Sequence, residues 1–315
     1  MHLLISHAAP TGSQCQAALA QLALPRLTEL LGLLTPLAPL GGSPGTLTPL
    51  VERVRANALG LEGADGLIPW AATDAQQLGL TKTSGLTGWA WVTPCNWRPQ
   101  SNHVSMGHPE DLQLTPLECE ALRTSVQPYF NEDGIALHPL ASGAWLAQGA
   151  VFKDLPTASL ERVAGASVDA WLPRQPQAKP LRKLQSEMQM LLHTHPVNDD
   201  RARRNAPTVN AFWVSGTGTP QAAPRPPDIP LRHDDSLKTP TRQDHVAHWT
   251  TAWHALDGGA IAEALQRAKT NKPVRLTLCG ERQAMTWELL QQQAWWNRLQ
   301  NRMTSSAPQQ LLGTL

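Results

Sequence analysis

The sequence predicts an α/β protein whose mostly parallel sheet is flanked by helices. Short apolar segments at 2–6, 208–216 and 273–281 have the length and composition of strands. Between them lie amphipathic segments such as 180–195, in which apolar residues recur at helical spacing. Strands that alternate with helices are typical of a parallel sheet, because parallel strands need crossover connections. A chain of 315 residues that is 41% hydrophobic can form one large domain or two ordinary ones.

The N-terminal region predicts two helices separated by a loop. Leucines at helical spacing predict a helix over 13–34, interrupted by Pro25. The Pro/Gly-rich stretch 35–49 predicts a loop, and the apolar pattern of 50–61 predicts the second helix.

A change of composition near residue 85 indicates an inserted unit. Trp-rich, strand-like sequence begins there, and strands and helices then alternate over a short span. This pattern predicts a smaller α+β unit at 86–178 within a core formed by 1–85 and 179–315.

Several local patterns place elements within these regions. Thr115, followed three residues later by Glu118, is a capping-box pattern that predicts a helix start. Further strands are predicted at 88–99, 135–148 and 167–173, and a helix at 244–256 that ends at Gly258-Gly259 before a helix at 260–268. The proline-rich composition of 219–230 predicts a connector without regular structure.

Composition excludes several functional classes. The net charge is +1, with 26 basic and 25 acidic residues, so nucleic-acid partners are not expected. No segment approaches the roughly 20 consecutive apolar residues of a membrane span, and the first residues lack a signal peptide, so we expect a cytoplasmic protein without membrane contact. The four cysteines are far apart and form no CxxC pair, which argues against structural zinc and disulfides.

The stretch 193–218, "HTHPVNDDRARRNAPTVNAFWVSGTG", concentrates polar groups before a predicted strand. Its arginines carry planar guanidinium groups suited to phosphate or carboxylate, and ligands of open α/β sheets bind at the carboxyl ends of strands. Asn198 is suited to cap the following helix. The alternative is that the arginines solvate a helix face and the glycines form a turn. The predicted anion-binding residues are His195, Asn198, Arg201, Arg204, Asn210, Gly216 and Gly218.

A second group of side chains is of metal-binding type. The alternative is surface histidines beside a helix start capped by Asp244. Cys279 at a strand end could be a nucleophile or a free buried cysteine. The metal candidates are His233, Asp235, Asp244, His245 and His248.

The stretch "HPVNDDRARRNAPTVNAFWVSGTG" resembles the "HPVN…R…G…AN…W..G.G" segment of archaeal-type cofactor-independent phosphoglycerate mutases, which belong to the alkaline phosphatase superfamily. "LALPRLTELLGLL", "TPLVERVRANALGL" and "TPCNWRPQSN" resemble further segments of that family, in the same order. The resemblance covers about two thirds of the chain and implies an alkaline phosphatase-like core, a phosphorylated substrate, and two divalent metals (Mn, Zn or Mg).

Over nearly its full length the chain resembles proteobacterial proteins described as phosphoglycerate mutase-like or RpfE-type regulatory proteins. "DLPTASLERVAGASVDAWLP" and "LTLCGER" carry this second resemblance. The two labels of this group imply either a mutase-like phosphotransfer enzyme or a regulatory protein.

The sequence departs from the mutase pattern where the chemistry would lie. Ser6-His7 stands where the family has its first metal-binding Asp, and Val51 stands at the nucleophile position. The strand that would supply an Asp-His pair supplies Cys279, Gly280 and Glu281. Valine cannot carry a phosphoryl group. We therefore expect no cofactor.

Three functions remain open at this point. The first is a non-catalytic binding or regulatory protein that keeps an anion pocket for a small phosphorylated or carboxylated metabolite. The second is an active metal-dependent phosphoglycerate mutase or phosphatase with unrecognised ligands. The third is a protein-interaction subunit, in which tryptophans such as Trp295-Trp296 contact a partner protein.

Overall fold

The computed structural model describes residues 1–81, 87–221, 229–289 and 308–315. Its strands are β1 (His2–Ile5), β2 (Thr35–Pro36), β3 (Leu40–Gly41), β4 (Trp89–Cys95), β5 (Trp97–Pro99), β6 (Val104–Met106), β7 (Ala136–Pro139), β8 (Trp145–Gln148), β9 (Ala211–Gly218), β10 (Leu231–Asp234), β11 (Arg275–Cys279) and β12 (Gln283–Glu288). Its helices are α1 (Ser13–Ala18), α2 (Pro25–Leu33), α3 (Leu50–Leu59), α4 (Trp70–Gln77), α5 (Pro116–Glu132), α6 (Leu160–Val163), α7 (Lys179–His193), α8 (Pro196–Arg203), α9 (Lys238–Arg242), α10 (Val246–Leu256), α11 (Ala262–Lys269) and α12 (Pro308–Thr314).

The chain forms two compact units. The first unit comprises Met1–Gly45, Pro49–Gly60 and Pro224–Leu315, and the second comprises Thr46–Thr48 and Leu61–Ala223. The second unit therefore extends beyond the predicted insert at both ends. At the C-terminal end the reason is strand pairing: β9, assigned from sequence to the core, pairs with β4 of the insert.

The sheet of the first unit is mixed rather than mostly parallel. Its order is β10-β1-β11-β12-β2, and β3 also pairs with β12. β1 runs parallel to β10 and to β11, whereas β12 is antiparallel to β11. Only three residues connect β11 to β12, which is too short for the crossover that a parallel pair requires.

Apolar side chains cover both faces of this sheet. Leu3 and Ile5 of β1 belong to one buried cluster, which also contains Trp249 and Trp253 of α10. The alternate residue Leu4 belongs to another cluster, with side chains of α3. Successive strand residues point to opposite faces, so β1 is buried on both sides.

The sheet of the second unit is antiparallel throughout, in the order β7-β8-β4-β9. β9 is buried along almost all of its length, and Phe212 and Trp213 belong to two different buried clusters. Burial on both faces produces a continuous apolar run, which is also typical of parallel strands. That ambiguity explains the wrong prediction of a mostly parallel sheet; the α/β class itself is confirmed.

The predicted boundary at Gly258-Gly259 is wrong, and a neighbouring residue bonds to a distant helix. Gly258-Gly259 does not end α10, because the backbone continues through a π-helical turn, Asp257–Ile261, into α11. The buried Asp257 carboxylate accepts hydrogen bonds from the backbone N–H groups of Arg26 and Leu27, at 3.3 and 2.8 Å. It thereby satisfies orphan donors at the start of α2.

Other predicted elements also change. Residues 167–173 contain no strand; Ser167 forms only an isolated bridge with Ser105. The predicted loop 35–49 contains the short strands β2 and β3. Most of the proline-rich connector, and the pair Trp295-Trp296, lie outside the described residues. Within the described residues, no helix combines the length and apolar character that crossing a bilayer requires.

Candidate functional site

The candidate site is built around the carboxylate of Glu118, near the start of α5. The predicted capping box is confirmed: the Thr115 hydroxyl accepts a hydrogen bond from the Glu118 backbone N–H at 3.2 Å. In return, Glu118 Oε2 accepts from the Thr115 backbone N–H at 2.8 Å and from its hydroxyl at 3.0 Å. This local arrangement leaves the second oxygen, Oε1, directed toward α8.

Two of the predicted anion-binding arginines meet that second oxygen. Arg201 Nη1 donates to Glu118 Oε1 at 3.0 Å, and Arg204 Nη2 donates to the same atom at 2.7 Å. The Arg201 side chain is only 2% exposed, whereas that of Arg204 is 57% exposed. The arginines therefore do hold a carboxylate, but one supplied by the chain itself.

Arg201 has further internal partners. Its Nε donates to the carbonyl oxygen of Pro207 at 2.7 Å, and Nη2 donates to that of Leu112. A buried guanidinium with all of these acceptors is held in one geometry. Arg201 is thus part of the structure of the second unit, whereas Arg204 lies at its surface.

The charge of this cluster follows from the state of Glu118. Burial raises the pKa of its carboxyl, but the hydrogen bonds from Thr115, Arg201 and Arg204 outweigh that effect and lower the pKa to about 2. Glu118 is therefore ionised at neutral pH. One carboxylate between two guanidinium groups leaves the cluster with a surplus positive charge, located at the exposed Arg204.

The two predicted asparagines serve the backbone. Asn198 Nδ2 donates to the carbonyl oxygens of Leu192 and Val209, both at 2.7 Å, and Oδ1 accepts from the Val209 N–H at 2.8 Å. Asn210 makes two comparable bonds with the backbone of Trp97. Asn198 does not cap α8 as predicted; it links the end of α7 to the residues before β9.

His195 caps α8 instead. Its Nδ1 accepts from the Val197 backbone N–H at 3.2 Å, and its Nε2 lies 2.8 Å from Ser125 Oγ. Because Nδ1 is the acceptor, the ring proton is on Nε2, which donates to the serine. Ser125 Oγ in turn donates to the carbonyl oxygen of Ala121 at 3.0 Å. In this tautomer the imidazole donates to the serine hydroxyl.

A surface pocket of 640 Å³ lies beside this pair. Apolar side chains form much of its wall, and the remainder comes from hydroxyl groups, one carboxylate and the imidazole. The lining residues are Glu120, Ala121, Thr124, Ser125, Leu191, Thr194, His195, Pro196 and Val197.

The two predicted glycines are required by backbone geometry and close packing. Gly216 has φ +64°, and a Cβ there would lie 2.8 Å from the Trp91 ring. Gly218 has φ +148°, and a Cβ there would lie 2.8 Å from Pro69 Cβ. Both glycines lie in β9, and Asn210 immediately precedes that strand. The other four of the seven predicted residues lie on and around α8.

The five metal candidates have separate local roles in the first unit. Asp244 accepts from the backbone N–H groups of Gln14 and Cys15, at 3.0 and 2.8 Å, and so caps α1 rather than α10. His245 caps α10 and stacks on His248 with ring centroids 3.9 Å apart. His233 Nε2 contacts Ser6 Oγ at 3.2 Å, and Asp235 is exposed beside β10.

These residues do not fit the two-metal centre that the mutase resemblance implies. No group of three potential ligands was found among the described residues. Ser6 Oγ, at the expected position of the first ligand, contacts the Asp234 carbonyl oxygen at 3.2 Å. Val51, at the expected nucleophile position, is buried in α3 against the sheet.

Sequence reasoning missed Glu118 and Ser125 as members of the site. The capping-box pattern identified Glu118 as a helix-start residue, but its arginine partners lie more than 80 residues away in the chain. No local signal connects Ser125 to His195, because the two lie on different helices.

No protein-family model and no curated protein matches the sequence. Two similar solved structures each cover 91% of this chain. One is the cofactor-independent phosphoglycerate mutase from Thermoplasma acidophilum DSM 1728, with 14% identity, 89% of that chain covered and a TM-score of 0.37. The other is the PH0037 protein from Pyrococcus horikoshii, with 11% identity, 86% of that chain covered and a TM-score of 0.45. Both likenesses are distant.

Proposed function

We propose that this chain is a non-catalytic binding or regulatory protein, phosphoglycerate mutase-like in fold, that binds a small phosphorylated or carboxylated metabolite at Arg204. The observation that carries the proposal is the position of Glu118, whose carboxylate two guanidinium groups already hold. The two guanidinium groups have more N–H donors than one carboxylate can use. The remaining donors of the exposed Arg204 are available to a second anion. An alkaline phosphatase-like core and membership of the proteobacterial regulatory group are part of the same proposal.

Arg204 has the capacity for this second anion. A guanidinium has five N–H donors, and Arg204 uses Nη2 on Glu118 and Nε on the carbonyl oxygen of Asp200, at 3.4 Å. The nearby Asp200 carboxylate is paired with Arg203, which offsets its repulsion of an anion. Because the site is exposed and Glu118 competes for it, we expect binding in the millimolar range, about −4 kcal/mol.

The non-catalytic part of the proposal has two supports. Val51 offers no nucleophile, and the Ser125 hydroxyl accepts a hydrogen bond from His195 Nε2 instead of donating one to it. Neither group is activated for phosphoryl or acyl transfer.

The binding part is tested with the variant Arg204→Ala. Calorimetric titration with inorganic phosphate should show millimolar binding to the wild type and a loss of at least about tenfold in the variant. Arg203→Ala is the matched control, because Arg203 is also exposed on α8 and its partner is Asp200. Equal phosphate affinity in the wild type and in Arg204→Ala would refute the site.

The non-catalytic part is tested by elemental analysis together with an isomerisation assay on 3-phosphoglycerate. Protein purified without chelator and supplied with Mn, Zn and Mg should retain less than one metal per chain and should not form 2-phosphoglycerate. Two tightly bound metals with mutase activity would establish the alternative, an active metal-dependent enzyme.

A further inference from the structure

We infer that the anion bound at Arg204 carries an apolar body, which lies in the pocket formed by α5, α7 and α8. The ligand class is therefore an aryl or alkyl phosphate monoester or carboxylate, rather than a small polyhydroxylated phosphate. This inference rests on the proposed function and specifies the ligand of that site.

The pocket and the charged cluster lie along the same pair of facing helices. On α5, Glu118 and the pocket residue Ala121 are three residues apart and share one face. On α8, the pocket residue Val197 shares a face with Arg201 and lies seven residues before Arg204. A rise of about 1.5 Å per residue separates the backbones of Val197 and Arg204 by on the order of 10 Å along the helix.

The pocket itself is suited to an uncharged, partly apolar group. Its volume of 640 Å³ lies within the usual range of small-molecule sites, about 300–1,000 Å³. Ala121, Leu191 and Val197 provide apolar contacts. The Glu120 carboxylate already binds Arg123 through both oxygens, so its charge is neutralised without a cationic ligand in the pocket.

Hydroxyl groups contribute a limited polar component. Thr124 and Thr194 line the pocket and are exposed, although Thr124 Oγ1 donates to Glu120 Oε1 at 3.4 Å. Ser125 is bonded to His195 and to a backbone carbonyl oxygen. Two exposed hydroxyls can orient one polar substituent of a ligand. A sugar-like body with many hydroxyls would leave several of them facing apolar wall without partners, which is costly.

The test compares ligand pairs that differ only in the apolar body. Calorimetric titration should show that phenyl phosphate binds at least about tenfold more tightly than inorganic phosphate, and benzoate more tightly than acetate. Burial of a phenyl ring against an apolar wall accounts for an effect of this size. Arg204→Ala should weaken binding of all four ligands.

Two variants locate the effect. Ala121→Phe fills the pocket from an exposed position of α5 and should reduce the affinity for phenyl phosphate to that for inorganic phosphate. Ala202→Phe is the matched control, since Ala202 is exposed on α8 and does not line the pocket. Thermal unfolding of both variants checks that they fold.

The outcomes separate this inference from the proposed function. If wild-type protein binds phosphate and phenyl phosphate equally, the apolar body is refuted and the anion site stands. If the advantage of phenyl phosphate persists in Ala121→Phe, the pocket is refuted as its location. If no anion binds, the proposed function fails and this inference fails with it.

Discussion

At the scale of single residues, the sequence gives the type of each side chain in the site, but the tertiary structure decides which partner it contacts. The sequence indicated Arg201 and Arg204 as groups suited to phosphate or carboxylate, and in the structure both contact the carboxylate of Glu118. It could not identify Glu118 as that carboxylate, because the pairing spans more than 80 residues. The outcome is a buried arginine with structural partners and an exposed one with capacity for a ligand.

A first prediction concerns Arg201. Arg201→Ala should lower the free energy of unfolding by about 2–4 kcal/mol, because it leaves Glu118 without one cation and removes the donor from one buried and one partly buried carbonyl oxygen. Urea denaturation followed by fluorescence measures this change. Arg203→Ala, which removes an exposed i,i+3 pair, should change stability by about 0.5 kcal/mol or less. If Arg201→Ala loses no more stability than Arg203→Ala does, Arg201 is not structural.

At the scale of elements, residues far along the chain cap several helices. Asp244 caps α1 and Asp257 caps α2, each from about 230 residues away, whereas sequence analysis assigned Asp244 to its own neighbouring helix. The capping box at Thr115 was predictable because both partners lie within four residues. Cap residues are recognisable from sequence, but the helix that they cap is recognisable only when it is adjacent.

A second prediction concerns a hydrogen-bonded chain across three strands. His2 Nε2 lies 2.8 Å from Thr277 Oγ1, which lies 2.9 Å from Thr286 Oγ1, so the chain joins β1, β11 and β12. Burial, Arg275 and the N-terminal ammonium lower the pKa of His2 from 6.5 to about 4. Between these pH values the unfolded chain binds more protons than the folded one. The contribution of His2 to the free energy of unfolding is therefore fully present above about pH 6.5 and is lost as the pH drops toward 4.

The contribution of His2 to this loss should be about 2–3 kcal/mol. Urea denaturation between pH 4 and 7 measures it, and the dependence should be shallower in His2→Asn, which cannot titrate. His254→Asn, at an exposed position of α10, should keep the wild-type dependence. Parallel curves for His2→Asn and wild type would contradict the assignment.

At the scale of the whole molecule, each unit contains segments that are far apart in the sequence. β9 joins the antiparallel sheet of the second unit, and α12 lies in the first unit. The last residue, Leu315, is buried, and its carbonyl oxygen accepts from the N–H groups of Arg282 and Gln283, both at 2.9 Å. Gly280, which follows β11, allows this close approach.

A third prediction tests that contact. A Cβ at Gly280 would lie 2.6 Å from the Leu315 carbonyl carbon and oxygen, so Gly280→Ala should displace Leu315 and weaken the docking of α12. Hydrogen exchange of the amides in α12 should become faster, and stability should fall by about 1–3 kcal/mol. Gly45→Ala, where a Cβ would meet nothing within 4 Å, is the control. Unchanged exchange in α12 would show that the contact is not required.

The sequence by itself determined the α/β class, the positions of most helices and strands, and the capping box at Thr115. These features depend on periodicity and on residues within a few positions of each other. Only the tertiary structure decided that β9 lies in an antiparallel sheet, that Gly258-Gly259 continues as helix, and that Glu118 occupies the arginine cluster. Each of these depends on contacts between segments far apart in the chain, and local sequence does not encode which distant segment will supply the strand, the cap or the opposite charge.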